Sequence, residues 1–289
     1  MSKNIKFQKT RFTLVERITI LSFIITPGIV SCESSDKKQP NIILIIADDL
    51  GWKDVSYNGS NYYETPNINR LATQGMVFTD AYANAPVSGP SRASIISGLY
   101  TPRHRIFVSS TTKDRGSVGS RRFIYPDADN QIHSLDTNFV TIAVPLKNIG
   151  YNTCFIGKWH LSWGNEKLDP DNRGFDVFIG GDMQPTYFFP YHQRNNKTIF
   201  PIKNLDLSIE KKGEYLTDRL TDEAIKFIRI NCDNPFFLIL AHWAPHVPLE
   251  AKPELVEKYK RKPGDGLQNN PVYAAMIESL DQSVGKIML

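Results

Sequence analysis

Ser88-Gly89-Pro90-Ser91-Arg92 puts a hydroxyl, a bend and a guanidinium within one helical turn. Gly89 and Pro90 permit the bend, and proline is tolerated in a first helical turn. Ala93, Ile95 and Ile96 follow as a short apolar run, and Gly98 reads as a helix stop. Ser88 is therefore expected at a helix N-terminus, where unpaired backbone N–H groups and the helix dipole favour an anion. Arg92, one turn further on, carries a fork of donors suited to a tetrahedral oxyanion such as sulfate or phosphate. Taken alone, the same residues also describe a plain helix N-cap and a surface arginine. An isolated Ser-x-x-x-Arg is more often that.

Three further groups could do chemistry. Asp48 and Asp49 end the apolar run Ile42–Ala47. Two adjacent carboxylates repel unless a cation sits between them, and their hard oxygens suit calcium or magnesium. An unaccompanied Asp-Asp more often just turns the chain into solvent. Lys158 and His160 stand two apart at the end of an expected strand, so extended geometry would point both to one side. His246 lies in Pro245-His246-Val247-Pro248, after another apolar run. A lone lysine or histidine is usually a surface or structural residue.

Together these strings resemble the type I sulfatases. Ser-x-Pro-Ser-Arg…Gly resembles that family's signature, whose first residue, Cys or Ser, becomes formylglycine after translation. Here it is the serine type. The chain departs from the signature at Ser97, where Thr is usual, and at Leu99, where a basic residue is common. Gly157-Lys158-Trp159-His160-Leu161 and Pro-His-x-Pro are further matches, as is Asp48-Asp49 with Gly51-Trp52 and Thr65-Pro66-Asn67-Ile68. Asp171-Asn172-Arg173-Gly174-Phe175-Asp176 also matches, as a structural loop. The resemblance implies calcium held by Asp48, Asp49 and residue 88. It implies sulfate contacts from Lys158, His160 and His246, and charge stabilisation by Arg92 and Lys158. His160 would be the base that expels sulfate, and His246 a sulfate ligand or the acid for the leaving group. His242 lacks a family match and reads as structural.

The elements needed to position these groups are legible. Ile42–Ala47 and Phe236–Leu240 are continuous apolar runs, as in strands buried on both faces. Tyr151–Ile156 and Phe175–Ile179 read as strands, and so does Met76–Ala83, leading into the Ser88 turn. Helices are expected over 67–73 behind Thr65-Pro66, over 139–148 despite Pro145, and over 215–230, 253–260 and 271–289. Residues 101–135 read as a polar surface excursion, in which Arg103, His104 and Arg105 either help hold an acidic substrate or are simply solvated. Tyr187, Phe188, Phe189, Tyr191 and His192 could stack on a sugar or aryl ring, but packing is the simpler reading. The fold class is α/β: a mostly parallel central sheet flanked by helices, which the resemblance identifies as the N-terminal domain of an alkaline phosphatase-like sulfatase.

The 289 residues suffice for one such domain. The net charge of +4 resides in residues 1–31, leaving the rest formally neutral. No basic stripe with interleaved aromatics is present, which argues against a nucleic-acid partner. Residues 1–31 read as a signal peptide: a basic start, then an apolar stretch from Ile18 to Val30 too interrupted to span a membrane. Ile29-Val30-Ser31-Cys32 resembles a lipobox, so Cys32 would be acylated and 32–40 would be a tether, although a simple secretory signal with an incidental cysteine also fits. Cys154 and Cys232 form neither a disulfide framework nor a zinc pattern; a bridge is permitted but not required. The domain is expected over 41–289, incomplete at its C-terminal end, because the family's remaining calcium ligands and smaller second domain would follow. By itself it should bind calcium poorly and be inactive.

The expected activity is hydrolysis of a sulfate ester on a carbohydrate or aryl group, after maturation by a serine-type radical enzyme, in the periplasm or on the outer membrane of a bacterium. Two alternatives stand beside it. One is a phosphate-ester hydrolase of the same superfold. The other is a non-catalytic, lipid-anchored protein that binds sulfated glycans.

Overall fold

The computed structural model describes residues 39–107, 109, 134–182, 186–191, 193–194, 197–198, 202–206, 208 and 212–289. The signal peptide, Cys32, most of the tether, and His192 lie outside these residues. Along the chain run β1 (Ile42–Ile46), α1 (Pro66–Gln74), α2 (Ser88–Ser97), α3 (Thr101–His104), α4 (Ala143–Asn148), β2 (Asn152–Lys158), β3 (Val177–Gly181), the short β4 (Gln193–Arg194) and β5 (Lys197–Thr198), α5 (Leu216–Ile230), β6 (Phe236–Ala241), α6 (Pro253–Lys260) and α7 (Pro271–Ile287).

β1, β6, β2 and β3 form one parallel sheet in that order. Register decides what the sheet can do. Ile46 of β1 pairs with Ala241 of β6, and Ala241 pairs with Gly157 of β2. The three strands therefore end level. The segments after them, Asp48-Asp49, His242–His246 and Lys158–His160, emerge at one carboxyl edge, where open parallel sheets gather ligand sites.

Side chains alternate across the sheet. Phe237 and Ile239 join Phe155, Trp159 and Phe175 on one face, with Ala93 and Ile96 of α2. Leu238 and Leu240 join Cys154 and Ile156 on the other, under α5 and α7. Two glycines let the strands lie this close. A Cβ on Gly157, whose φ is +111°, would sit 1.9 Å from the Ala241 carbonyl oxygen, and one on Gly180 would sit 1.9 Å from that of Gly157. Arg173 fixes the loop before β3 by donating to the carbonyls of Leu135, Asp136 and Phe139. That is the structural role expected of its loop.

Several sequence expectations change. Residues 76–83 form no strand; they run as an irregular segment with Met76, Phe78 and Tyr82 largely exposed. Its composition reads as a strand, but among the described residues no neighbouring strand pairs with it. Helix α4 starts at Ala143 rather than 139 and so places Pro145 in its first turn, where the missing N–H costs nothing. His104 is buried instead of facing a substrate. Its Nε2 lies 3.0 Å from Ser94 Oγ, and its Nδ1 accepts from the Ile106 amide. Arg103 and Arg105 are exposed, and 110–133 lie outside the described residues. Tyr187 and Tyr191 are buried, consistent with packing. Cys154 and Cys232 are both free, Cys154 in the core and Cys232 on the surface. No helix among the described residues is long and apolar enough to cross a membrane.

Candidate active site

Ser88 is the first residue of α2, and Val87 occupies the cap position. The Ser88 hydroxyl caps no amide. It donates to Asp48 Oδ1 at 3.0 Å and accepts from Arg92 Nε at 2.9 Å. The plain N-cap reading is therefore wrong. The adjacent Gly89 amide is taken by Ser109 Oγ at 2.8 Å. Gly98 ends α2 in the left-handed conformation, with its amide on Ser94. The turn-then-helix reading of 88–98 thus holds.

Arg92 is 4% exposed and uses its whole fork. Nε serves Ser88, Nη1 donates to the Lys158 carbonyl at 2.6 Å, and Nη2 meets Asp48 Oδ1 at 3.1 Å. Lys158 Nζ closes the cluster on Asp48 Oδ2. One buried carboxylate at the end of β1 thus receives a hydroxyl and a cation from α2 and a second cation from the end of β2. Burial alone would raise the Asp48 pKa, but Arg92 and Lys158 outweigh it and hold the carboxyl well below its usual range. Burial pulls Lys158 down, against the pull of Asp48. The hydrogen-bonded geometry keeps the two as an ion pair.

His160 follows Lys158 through a turn rather than an extended strand, since β2 ends at Lys158 and His160 has φ 62°. Its ring is buried, and its Nδ1 has no hydrogen-bond partner among the described residues. Burial, then Lys158 and Arg92, pull its pKa down to about 3, so the imidazole is neutral at pH 7. An unpaired nitrogen on a neutral imidazole can take up a proton, but burial beside two cations makes this one a weak base.

Asp49 and His246 meet on the exposed side of this cluster, Nε2 to Oδ2 at 3.4 Å. His246 Nδ1 lies 2.6 Å from the Val247 carbonyl, and the Tyr187 hydroxyl donates to the His246 carbonyl at 2.8 Å. His242 stands apart. It is fully buried, 2.9 Å from Ser283 Oγ, and reads as structural, as expected.

Two residues that hold the site carry no motif. Tyr273 on α7 reaches the Asp49 carbonyl at 3.2 Å and Asp54 Oδ2 at 2.9 Å. Asp54 Oδ2 also accepts from the Gly51 amide at 3.2 Å. Asp49 has φ 63°, a conformation costly for a residue other than glycine, and this clamp helps hold it. A Cβ on Gly51 would sit 2.6 Å from Asp54 Oδ2, so a larger residue would push the carboxylate out of this position. The sole sequence signal was Gly51-Trp52-Lys53-Asp54, one residue past the paired aspartates.

Calcium takes six to eight oxygens. Asp48, Asp49 and Ser88 offer hard oxygens, but both Asp48 oxygens already face cations, and Asp49 Oδ2 faces His246. No group of three or more His, Cys, Asp or Glu side chains able to hold a metal is found among the described residues. The donors present do not by themselves fit a calcium cage.

Comparisons with known proteins find relatives along most of the chain. A "Sulfatase" from Formosa agariphila is 32% identical, over 94% of this chain and 57% of its own length. The N-acetylgalactosamine-6-sulfatase of Homo sapiens is 30% identical, over 88% of this chain and 47% of its own. A solved structure of Ps i-CgsB in complex with k-i-k-neocarrahexaose is 34% identical with a TM-score of 0.69, over 87% of this chain and 54% of that chain. This chain thus spans about half the length of the relatives it matches. The fold is the alkaline phosphatase-like fold of sulfatases. The family model for sulfatases matches residues 40–288, from just before β1 to the end of α7, and the chain belongs to that family.

Proposed function

We propose that this chain carries the nucleophile-bearing part of a sulfuric ester hydrolase whose substrate is a sulfated carbohydrate or aryl ester. The observation that carries this reading is the buried cluster in which Asp48, Arg92 and Lys158 converge on, or next to, the Ser88 hydroxyl. The N-acetylgalactosamine-6-sulfatase relatives and the neocarrahexaose complex support a carbohydrate substrate.

A serine hydroxyl is a poor nucleophile at neutral pH. Conversion of Ser88 to formylglycine by a serine-type maturase would supply a hydrated aldehyde whose second hydroxyl can expel sulfate, a route plain serine lacks. Asp48 and Arg92 orient the reacting oxygen at position 88. Arg92 and Lys158 supply positive charge where the sulfate oxygens gain negative charge. His160, neutral and with an unpartnered nitrogen, is assigned as the base for the elimination step, a role in which the negative charge of a bound sulfate would offset Arg92 and Lys158 and raise its pKa. His246, on the exposed side, binds a sulfate oxygen or protonates the leaving alcohol. Calcium bound to Asp48, Asp49 and residue 88 would need donors beyond those described, and no step is assigned to it. Cys32 is proposed as a lipid anchor of an exported bacterial protein, tested by fatty-acid labelling that Cys32→Ser abolishes.

The deciding experiment is peptide mass spectrometry of the protein isolated from its source cells. A Leu71–Arg92 peptide lighter by two hydrogens, together with release of sulfate from a sulfated carbohydrate in preference to phosphate from its phosphate analogue, is the expected result. Unmodified Ser88 with phosphate release would favour the phosphate-ester reading. Glycan binding without turnover would favour the binding protein.

A further inference from the structure

His160 is held in an unfavourable backbone conformation. Its φ of 62° lies in the left-handed region, and Trp163 in the turn that follows repeats it at 50°. At residues other than glycine such a conformation persists only where the surroundings impose it. The end of β3 grips the chain on both sides of His160. The Gly181 carbonyl accepts from the Trp159 amide at 2.8 Å. The next residue, Asp182, takes the chain just past the histidine. Its Oδ1 accepts from the amides of Leu161 at 3.0 Å and Ser162 at 3.2 Å. Its Oδ2 accepts from the Ser162 hydroxyl at 2.6 Å and, more weakly, from the Gly164 amide at 3.4 Å. A carboxylate gathered by closely spaced amides is the arrangement of an anion nest, filled here by the chain's own side chain. The same Ser162 hydroxyl stands 2.6 Å from Asp169 Oδ1, and Lys203 Nζ holds Asp169 Oδ2 at 2.6 Å, which braces the turn from a second direction. The gathered turn carries Trp163, whose ring centroid lies 5.7 Å from that of His160.

We infer that Asp182 is a positioning residue for His160: its carboxylate folds 161–164 into the turn that keeps the imidazole buried at the end of β2. Asp182 acts through backbone amides and one hydroxyl, so what it must supply is a correctly placed acceptor oxygen rather than a charge. Its effect on the place of His160 stands by itself. Its effect on turnover rests on the proposed hydrolase reading, in which His160 is the base.

The test is acylation of accessible imidazoles by diethyl pyrocarbonate, read residue by residue by mass spectrometry on the 289-residue chain. His104 and His242 are buried like His160 and report any general loosening. Asp182→Ala should speed labelling of His160 at least about tenfold by local opening, with His104 and His242 unchanged. Asp182→Asn keeps an oxygen for the Leu161 and Ser162 amides and should label as the parent does. Asp182→Glu keeps the charge but moves the carboxylate by one methylene, and should expose His160. The contrast between asparagine and glutamate decides the matter even where the alanine variant does not fold. Unchanged labelling of His160 in the glutamate variant overturns the inference. So does faster labelling of all three histidines alike, which would make Asp182 a general stabiliser. In the whole enzyme made in its source cells, Asp182→Ala should lower kcat at least about tenfold, with Asp182→Asn close to the parent. An unchanged kcat beside a freely labelled His160 would overturn the assignment of His160 as the base and leave the positioning role in place.

Discussion

Ser88 Oγ lies 3.0 Å from Asp48 Oδ1, across 40 positions of sequence. The contact places a candidate nucleophile against a carboxylate that two buried cations already neutralise. It binds the start of α2 to the end of β1, so the integrity of the site and of this part of the fold are one matter.

Replacing Asp48 by asparagine should therefore be costly. Arg92 and Lys158 are 4% and 3% exposed and would lose their shared anion. Breaking a buried pair from one side costs about 3–5 kcal/mol. Urea unfolding at pH 7 should show Asp48→Asn less stable by that order; an unchanged midpoint would mean that the cluster contributes nothing to folding. The pH dependence has a defined sign. The Asp48 pKa is lowered in the fold, so its contribution is present above the ordinary carboxylate value of about 4 and is lost as pH falls through the lower folded value.

His242 predicts a second pH effect, at milder acidity. Burial holds its pKa at about 3, against about 6.5 in an unfolded chain. Between those values the unfolded chain takes up a proton that the folded one refuses. Stability is therefore lost as pH falls below about 6.5, by about 2 kcal/mol from this residue at pH 5. Unfolding measured at pH 7.5 and 5.0 should show a smaller difference for His242→Gln than for the parent. Equal differences would place the effect elsewhere.

Tyr273→Phe tests the clamp on Asp49. Burial and the Asp54 carboxylate push the phenol pKa up, so it stays protonated and donates. Phenylalanine keeps the edge contact with the Tyr63 ring, 5.6 Å between centroids, and removes only the hydroxyl. The expected loss is about 0.5–1.5 kcal/mol in denaturant unfolding. In the whole enzyme, a fall in kcat/KM beyond that seen for a neutral surface substitution is also expected. Unaltered turnover would reduce Tyr273 to a packing residue.

Calcium should not stabilise the 289-residue chain. A ligand that binds only the folded state raises the melting temperature with its concentration. With Asp48 engaged by Arg92 and Lys158, the melting temperature is expected to be the same in millimolar calcium and in a chelator. A rise of several degrees in calcium would mean that Asp48, Asp49 and Ser88 suffice as a site.

The sequence by itself determined what local forces control. The apolar runs of β1 and β6 needed no context, nor did Pro66 and Gly98 at helix ends or the periodic face of α5, because each is set by neighbours a few residues away. Asp48, Ser88, Arg92, Lys158, His160 and His246 were marked by short strings at element ends whose resemblance to sulfatase motifs, rather than local chemistry alone, set them apart. Pairing and enclosure were decided only by the tertiary structure. Residues 76–83 read as a strand, but no partner strand lies beside them among the described residues, and a strand exists only where a second backbone meets it. His104 read as a surface cation until Ser94 and Ile106 enclosed it. Tyr273 stands 224 positions from Asp49, and nothing in its own surroundings marks the contact. The tertiary structure also decided that Ser88 faces a carboxylate rather than caps its helix. That choice depends on where β1 ends relative to α2, which is set by the packing of the sheet.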